Sequence, residues 1–236
     1  MLKVTNVTKK FGELTAVNDL SFEVTKGQVF GIAGPNGAGK STLYNLITGL
    51  YSFEGSILFN NQEISDRPPH KIANLSISRT FQILQTFPSL SVEKSIEAGN
   101  YFGSKDGFEQ EYVNRILEFT NLKDKRDAMT GQLNLLNKMM LMIGAALATK
   151  PEISMLDEPM AGSNAKEIIK LMDLIRRINK DLKVTIIIIE HFMKVLTELT
   201  ETLLIIETGT EICCGDPVEV TSDPRVIESY LGGNHD

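Results

Sequence analysis

The sequence lacks the features on which small secreted and membrane-spanning chains depend. Its only two cysteines, Cys213 and Cys214, are adjacent in the chain, and neighbouring residues are poorly placed to form a disulfide without strain. The most apolar stretch, residues 133–148, is interrupted by two asparagines and a lysine. It therefore falls short of the roughly 18 clean apolar residues that a membrane span requires. We expect a soluble protein from a thiol-reducing cytosol.

The sequence also lacks an excess of positive charge. The chain has 24 basic and 30 acidic residues, a net charge of −6, and this balance argues against a protein that follows nucleic-acid phosphates. The first five residues lack the basic and apolar regions of a signal peptide, and we expect none. What is present is a globular composition, with 42% apolar and 23% charged residues among 236. This length corresponds to about 1.6 domains.

The apolar residues in the first and last parts of the chain predict an α/β core with an antiparallel β subdomain. Alternating apolar runs indicate antiparallel strands at residues 2–7, 14–17, 20–24 and 56–59. Two later runs are continuous instead, at residues 153–156 and 184–189. Continuous runs are typical of strands covered on both faces of a parallel sheet, and residues 168–178 are predicted to form the helix that connects them.

The middle of the chain has a different pattern. Apolar residues recur at helical spacing from Tyr112 to Phe119 and again from Leu133 to Leu147. We therefore expect one domain over residues 1–236. Residues 1–90 and 150–236 would form the α/β core with its β subdomain, and residues 91–149 would form a helical subdomain.

A phosphate-binding loop is the strongest motif in the sequence. Residues 34–41 match G-x-x-x-x-G-K-[ST] completely, between a predicted strand at 28–33 and a predicted helix at 42–47. Backbone amides in such a loop, and the start of the helix after it, bind phosphate oxygens. Lys40 can reach the β- and γ-phosphates, and the Ser41 hydroxyl can ligate Mg²⁺. The predicted nucleotide-binding residues here are Gly34, Pro35, Asn36, Gly37, Ala38, Gly39, Lys40, Ser41 and Thr42.

Acidic and imidazole side chains follow the two continuous apolar runs. Asp157 and Glu158 come directly after residues 153–156, and His191 follows the next strand. Ligands of open α/β sheets collect at the carboxyl ends of the strands. We predict that Asp157 binds Mg²⁺ and that Glu158 orients or activates the attacking water in phosphoryl transfer.

Together these motifs resemble the nucleotide-binding subunit of an ABC transporter over nearly the whole chain. The phosphate loop corresponds to the Walker A motif, and residues 153–158 correspond to Walker B with Glu158 as its catalytic glutamate. The resemblance implies a P-loop NTPase core of the RecA-like type, with ATP and Mg²⁺ as cofactors. It also implies a Q-loop glutamine at Gln82, which acts in catalysis and on the metal, and a catalytic switch histidine at His191. An aromatic ring that stacks on adenine is implied at Phe11.

The resemblance also implies partners and a location. ATP hydrolysis would be coupled to transport, with a second ABC ATPase subunit in a hetero- or homodimer and with transmembrane permease subunits. A periplasmic or surface solute-binding protein would participate indirectly, and nucleic acid would not. The chain would be peripheral, on the cytoplasmic face of the cell membrane. The helical insert and residues 82–88 would form the docking surface.

Several segments are similar to one branch of the family, the ATP-binding subunits of branched-chain (hydrophobic) amino acid importers. The segments are residues 79–82, 87–92, 156–162, 189–191 and 226–232. Urea and short-chain amide importers share these features, and lipopolysaccharide-export ATPases share them to a lesser extent. These systems remain alternatives, as does a non-hydrolytic regulatory ABC subunit that binds ATP only to hold a complex together.

The family signature is degenerate in this chain. A segment of the Leu-Ser-Gly-Gly-Gln type should open the helix before Walker B, but its position, residues 133–140, reads Leu-Asn-Leu-Leu-Asn-Lys-Met-Met. In the family this segment caps the γ-phosphate of ATP bound to the opposite subunit. Leu136 is expected to place bulk where backbone should approach phosphate. We therefore expect asymmetric ATP sites in a dimer.

Other nucleotide-binding classes fit less well. A GTPase needs Asn-Lys-x-Asp after a strand, and the nearest candidate, residues 179–181, has its aspartate one place early. A small-molecule kinase needs an arginine-rich lid, whereas the insert has few arginines. ABC ATPases that act on DNA or ribosomes usually carry tandem cassettes or long coiled-coil inserts, which do not fit into 236 residues.

Overall fold

The computed structural model describes residues 1–82 and 86–231. Ten strands and nine α-helices lie within these ranges, together with two short 3₁₀ turns. In chain order they are β1 (Leu2–Phe11), β2 (Leu14–Val24), β3 (Val29–Ala33), α1 (Lys40–Ile47), β4 (Glu54–Phe59), β5 (Gln62–Glu63), α2 (Pro69–Ala73), β6 (Ile77–Arg79), α3 (Val92–Gly103), α4 (Gln110–Phe119), α5 (Leu135–Ala148), β7 (Ile153–Asp157), α6 (Ala165–Leu182), β8 (Thr185–Ile189), α7 (Met193–Leu199), β9 (Thr202–Glu207), β10 (Thr210–Gly215), α8 (Pro217–Ser222) and α9 (Pro224–Leu231).

The chain divides into two compact units. The first unit comprises Met1–Ile72 and Thr185–Asp236, and the second comprises Ala73–Val184. The α-helices α3, α4 and α5 of the second unit fall within the predicted helical subdomain at 91–149. The predicted subdomain bounds stay a prediction. None of the helices in residues 1–82 and 86–231 is long and apolar enough to cross a membrane.

The antiparallel sheet of the first unit has the strand order β2-β1-β4-β5. The runs predicted as two strands at 14–17 and 20–24 are one strand, β2. Both β1 and β2 contain a residue with a left-handed backbone, Asn6 (φ 49°) and Asp19 (φ 51°), and the Asn6 Nδ2 atom donates to Asp19 Oδ1 at 2.8 Å. Because these residues form an irregularity in the pairing, they interrupt the apolar alternation without ending the strand.

The first unit also contains four neighbouring strands of a second sheet, in the order β10-β9-β3-β8. Strand β3 is parallel to both β8 and β9, and β3 and β8 are buried at every residue. The prediction that the continuous run at 184–189 is a strand buried on both faces is therefore confirmed. Ile32 pairs with Ile189, so β3 and β8 end at the same edge of the sheet.

In the second unit, β6 and β7 form a parallel pair, with Ile77 opposite Ile153 and Arg79 opposite Met155. The predicted helices at 112–119, 133–147 and 168–178 are confirmed as α4, α5 and α6. Asn164 begins α6 with a reciprocal capping box, in which its side chain accepts from the Glu167 amide and the Glu167 carboxylate accepts from the Asn164 amide. The carboxyl end of β7 carries the acidic pair.

Candidate functional site

The phosphate loop lies between β3 and α1, as predicted, and its shape depends on glycine. A Cβ atom on Gly34 would lie 2.0 Å from the carbonyl oxygen of Ile206, and one on Gly39 would lie 2.3 Å from that of Ala16. Gly39 also has a φ of 102°, which side chains rarely allow. The loop therefore folds directly against neighbouring backbone, and larger residues at these two positions cannot be accommodated.

Lys40 is buried in the loop that it follows. Its side chain is only 6% exposed, and Nζ donates to the carbonyl oxygens of Gly34 at 2.7 Å and Pro35 at 2.9 Å. The N-cap of α1 is Gly39, which has no side chain to bond the first amides of the helix. A buried ammonium and a helix N-terminus without a side-chain cap together form an anion site. Ser41 is exposed on the first turn of this helix, and Thr42 follows it.

The C-terminal segment of the first unit flanks the phosphate loop, which the sequence did not indicate. The Gly209 amide, in the turn between β9 and β10, donates to the Ala38 carbonyl at 3.0 Å. A cleft of about 690 Å³ separates loop residues 35–38 from α9. The Tyr230 hydroxyl lies beside the Gly34 backbone, and burial raises the pKa of Tyr230 to about 12. This phenol therefore stays protonated at neutral pH.

Phe11 lies at the end of β1 and has an aromatic neighbour that the sequence did not suggest. Its ring is 41% exposed and meets Tyr51 edge-on, with centroids 5.3 Å apart. The Lys9 ammonium lies 5.0 Å from the Phe11 centroid and 5.6 Å from the Tyr51 centroid. A half-exposed ring retains surface for a further contact, which suits the predicted stacking on adenine.

Replacing Phe11 with alanine is expected to weaken ATP binding by about tenfold, because a base-stacking surface is lost. The affinity for inorganic tripolyphosphate should not change, since Phe11 does not contribute to the phosphate loop. Titration calorimetry with both ligands measures the two affinities. Phe11→Tyr should bind ATP like the wild type, as should Phe102→Ala, which removes an exposed aromatic ring from α3. An unchanged ATP affinity in Phe11→Ala would contradict the stacking role.

Asp157 ends β7 and is buried, with 3% of its side chain exposed. Arg79 Nη2 donates to Asp157 Oδ2 at 3.1 Å, and the Asp157 amide donates to Thr80 Oγ1 at 3.2 Å. The sequence identified Asp157 but not its buried arginine partner. Arg79 reaches Asp157 because β6 pairs with β7 in parallel. The spacing of residues in the sequence does not determine this pairing.

Glu158 and Gln82 are brought together, as the resemblance implied for one catalytic site. Gln82 Nε2 donates to Glu158 Oε2 at 2.7 Å. Glu158 has a left-handed backbone with φ 48°, a conformation that costs a residue with a side chain free energy and is often found at functional sites. The left-handed residue comes directly after the end of β7, where the Gln82 contact is made.

The predicted metal ligands Ser41, Gln82 and Asp157 offer a hydroxyl, an amide and a carboxylate oxygen. Oxygen atoms are the donors that Mg²⁺ prefers, and it usually keeps several waters and binds substrate phosphates as well. The charge and donor chemistry of these residues therefore fit Mg²⁺. Ser41 belongs to the first unit, whereas Gln82 and Asp157 belong to the second.

His191 follows β8 at the sheet edge where β3 leads into the phosphate loop. Ile189 pairs with Ile32, so His191 and Gly34 each lie two residues beyond paired positions. The His191 amide donates to the carboxylate of Glu190 at 3.2 Å, and Glu190 is 1% exposed. Within the first unit, the structure thus places the imidazole and the loop at one edge.

The signature segment opens α5, as its predicted position requires. Asn134 is the N-cap, and its side chain accepts a hydrogen bond from the Asn137 amide at 3.0 Å. Leu136 is only 8% exposed and lines a cleft of about 570 Å³ within its own unit. The expectation that its bulk obstructs the phosphate bound to an opposite subunit stays a prediction. Leu135 is half-buried, and its side chain lies 3.2 Å from where a Cβ on Gly162 would be.

A phosphate loop between a buried strand and a helix, with an acidic pair at the end of another buried strand, defines a P-loop nucleoside triphosphatase. The ABC transporter family model matches residues 17–161, more than half of the chain, and the chain belongs to this family. A second model, described as branched-chain amino acid ATP-binding cassette transporter, matches residues 211–236.

Sequence relatives extend the similarity over nearly the whole chain. The high-affinity branched-chain amino acid transport ATP-binding protein BraF of Pseudomonas aeruginosa is 32% identical, with 98% of each chain covered. LivG of Escherichia coli K12, which carries the same description, is 31% identical with the same coverage. A probable LivG of Methanocaldococcus jannaschii is 33% identical over 98% of this chain and 97% of its own.

Solved structures agree with the sequence relatives. An ATP-binding cassette of an ABC transporter in its ADP conformation superposes with a TM-score of 0.89 at 31% identity, with 98% of each chain covered. A nucleotide-free cassette gives 0.86 at 32% identity with the same coverage. The predicted α/β cassette fold is confirmed, and the chain is an ATP-binding subunit, an ATPase, of an ABC transporter. The GTPase alternative is wrong, because residues 179–181 lie inside α6.

Proposed function

We propose that this ATPase powers the uptake of branched-chain or related hydrophobic amino acids through separate membrane subunits. The observation that carries the proposal is the similarity, over 98% of the chain, to relatives described as branched-chain amino acid transport ATP-binding proteins. The match of residues 211–236 to the branched-chain cassette model supports it independently of the ATPase motifs.

In the proposed mechanism each motif acts on a single Mg·ATP. The phosphate loop, residues 34–42, surrounds the triphosphate with backbone amides and with the Lys40 ammonium, and Phe11 stacks on adenine. Ser41, Gln82 and Asp157 would hold Mg²⁺, which would neutralise phosphate charge when bound. Because phosphoryl transfer depends mainly on positioning and charge stabilisation, the remaining residues are assigned to the attacking water.

Glu158 is proposed to orient and deprotonate the attacking water, and His191 is proposed to bind the γ-phosphate region from the edge of β8. The bond from Gln82 to Glu158 holds the carboxylate by one oxygen. Replacing Gln82 would therefore remove one of the contacts that hold Glu158 in position. This contact lets a movement of the Q-loop control hydrolysis.

The proposed partners are a second ABC ATPase subunit and transmembrane permease subunits, at the cytoplasmic face of the membrane, with a solute-binding protein acting indirectly. A dimeric structure of a bacterial ABC transporter cassette, 25% identical with a TM-score of 0.82, supports the dimer. The docking surface would include residues 82–88, of which 83–85 lie outside the described residues. The exposed Phe87 of this segment and Phe81, just before it, border an apolar cleft of about 380 Å³ in the second unit.

The substrate is tested by reconstitution with the permease subunits and the partner ATPase in liposomes. We expect ATP-dependent uptake of radiolabelled leucine that is competed by isoleucine and valine, and no uptake of urea. A complex that contains Lys40→Met in this chain is the control, because it lacks the phosphate-binding ammonium and should not transport. Urea uptake without leucine uptake would instead support an amide importer.

A further inference from the structure

The aspartate proposed to hold Mg²⁺ already has a cationic partner in the structure. Arg79 and Asp157 form an ion pair at 3.1 Å, and their side chains are only 8% and 3% exposed. Both residues lie in the second unit. A buried ionised carboxylate is costly unless a counter-charge and hydrogen bonds compensate it. The arginine therefore provides the charge compensation that a metal would otherwise supply.

The arginine is held in place by its surroundings. In the parallel pairing of β6 with β7, Arg79 lies opposite Met155, so its side chain reaches two residues along the neighbouring strand. Its guanidinium stacks on the Phe81 ring at 4.9 Å. The backbone amide of Thr80, the next residue, donates a hydrogen bond to the Met155 carbonyl at 2.9 Å. The Thr80 hydroxyl accepts a hydrogen bond from the Asp157 amide.

The same segment contacts both carboxylates. Arg79 bonds Asp157, and three residues later Gln82 bonds Glu158 at 2.7 Å. Residues 79–82 thus hold the side chains of both members of the acidic pair, Asp157 and Glu158. A guanidinium beside Asp157 also repels a free divalent cation, because like charges oppose each other strongly where water is excluded. A triphosphate that arrives with the metal would offset this repulsion with its own negative charge.

We propose that Arg79 is a positioning residue that serves as an internal counter-cation for Asp157, so that this aspartate accepts Mg²⁺ only together with nucleotide. The proposal rests on the proposed role of Asp157 as a metal ligand. It assigns to the arginine of the Arg-Thr-Phe-Gln segment a specific task, which is to keep the site free of metal until ATP is present.

Binding of Mn²⁺ without nucleotide tests the proposal. Electron paramagnetic resonance measures free Mn²⁺ in the presence of the wild type, Arg79→Met, Arg79→Lys and a control, Arg126→Met. Arg126 forms a partly exposed ion pair with Glu93 in the same unit. We expect Arg79→Met to bind Mn²⁺ at least about tenfold more tightly than the wild type, because the positive charge of Arg79 beside the carboxylate is then removed. Arg79→Lys, which keeps the charge, and Arg126→Met should behave like the wild type.

Thermal unfolding provides the second measurement. Without metal, Arg79→Met should unfold at a lower temperature than the wild type, and millimolar Mg²⁺ alone should recover a few degrees of its midpoint, about 2–4 °C. The wild type should show no such shift. An equal response to Mg²⁺ in Arg79→Met and the wild type would overturn the proposal, since an arginine with only a structural role would not make stability depend on metal.

A double variant keeps the test valid if Arg79→Met does not fold. Arg79→Met/Asp157→Asn removes both charges, so it should fold and should not respond to Mg²⁺ without nucleotide; failure to fold would contradict charge compensation as the role of Arg79. Binding of Mn·ATP to the wild type separates the metal role of Asp157 from the role of Arg79. If the wild type binds Mn·ATP no better than ATP alone, the metal role of Asp157 itself fails. If it does bind Mn·ATP better but Arg79→Met shows no gain for free Mn²⁺, only the inference about Arg79 fails.

Discussion

Replacing Glu158 with glutamine is expected to reduce ATP hydrolysis by at least about 100-fold, because a positioned general base contributes rate factors of this size. ATP binding should be retained, since the amide oxygen of glutamine can still accept the hydrogen bond that Gln82 donates to Glu158. Bound but unhydrolysed ATP should then stabilise the dimer of this chain with a partner cassette that has an intact signature. Phosphate release measures the first effect, and size-exclusion chromatography with ATP measures the second.

The matched control is Glu111→Gln, a charge-neutralising change at an exposed position of α4 in the same unit. It should leave hydrolysis and dimerisation unchanged. If Glu158→Gln also changed neither, Glu158 would have no catalytic role. The chain would then fit the alternative of a regulatory subunit that binds ATP only to hold a complex together.

The second large effect concerns the degenerate signature. This chain alone is expected to hydrolyse ATP at least about 100-fold more slowly than when mixed with a partner cassette that has an intact signature, because lost hydrogen-bond donors to a transition-state charge cost factors of 100 or more. In this chain the Asn137 amide already donates a hydrogen bond to the Asn134 side chain. Leu135 also adds bulk next to Gly162, at a position where the family has a small residue. Phosphate release per chain, measured alone and in an equimolar mixture, gives the ratio.

Two controls make this comparison specific. The partner alone must be assayed at the same total concentration, so that its own homodimer activity can be subtracted. The mixture must also be assayed with Lys40→Met in this chain, which should remove the gain if hydrolysis occurs at this chain's phosphate loop. Hydrolysis by this chain alone at the rate of the mixture would show that the degenerate signature has little effect.

The sequence was sufficient for features carried by consecutive residues. The phosphate loop was predicted in full, because all eight motif positions are contiguous and the preceding run leads into β3. The carboxyl end of β7 was predicted for a similar reason, since its apolar run and its two carboxylates are adjacent. These features need no knowledge of how distant segments pair.

Features that depend on pairing between distant segments were missed. The sequence shows Arg79 only as part of the Arg-Thr-Phe-Gln segment. Its contact with Asp157 arises from the register of β6 against β7, two strands that lie more than seventy residues apart in the chain. Tyr51 lies beside Phe11 through the tertiary fold of the first unit. The burial of Leu136 next to the half-buried Leu135 likewise depends on how α5 packs in the second unit, which the sequence alone does not fix.

The asymmetry expected from the degenerate signature leads to our central proposal, in which this chain provides the hydrolytic ATP site and a partner subunit provides an intact signature. The most direct test is phosphate release by the heterodimeric complex, measured with the catalytic glutamate replaced by glutamine in one subunit at a time. We predict that hydrolysis persists when only the partner's glutamate is replaced and falls by about 100-fold or more with Glu158→Gln. Hydrolysis that survives Glu158→Gln but is lost with the partner's substitution would contradict the account.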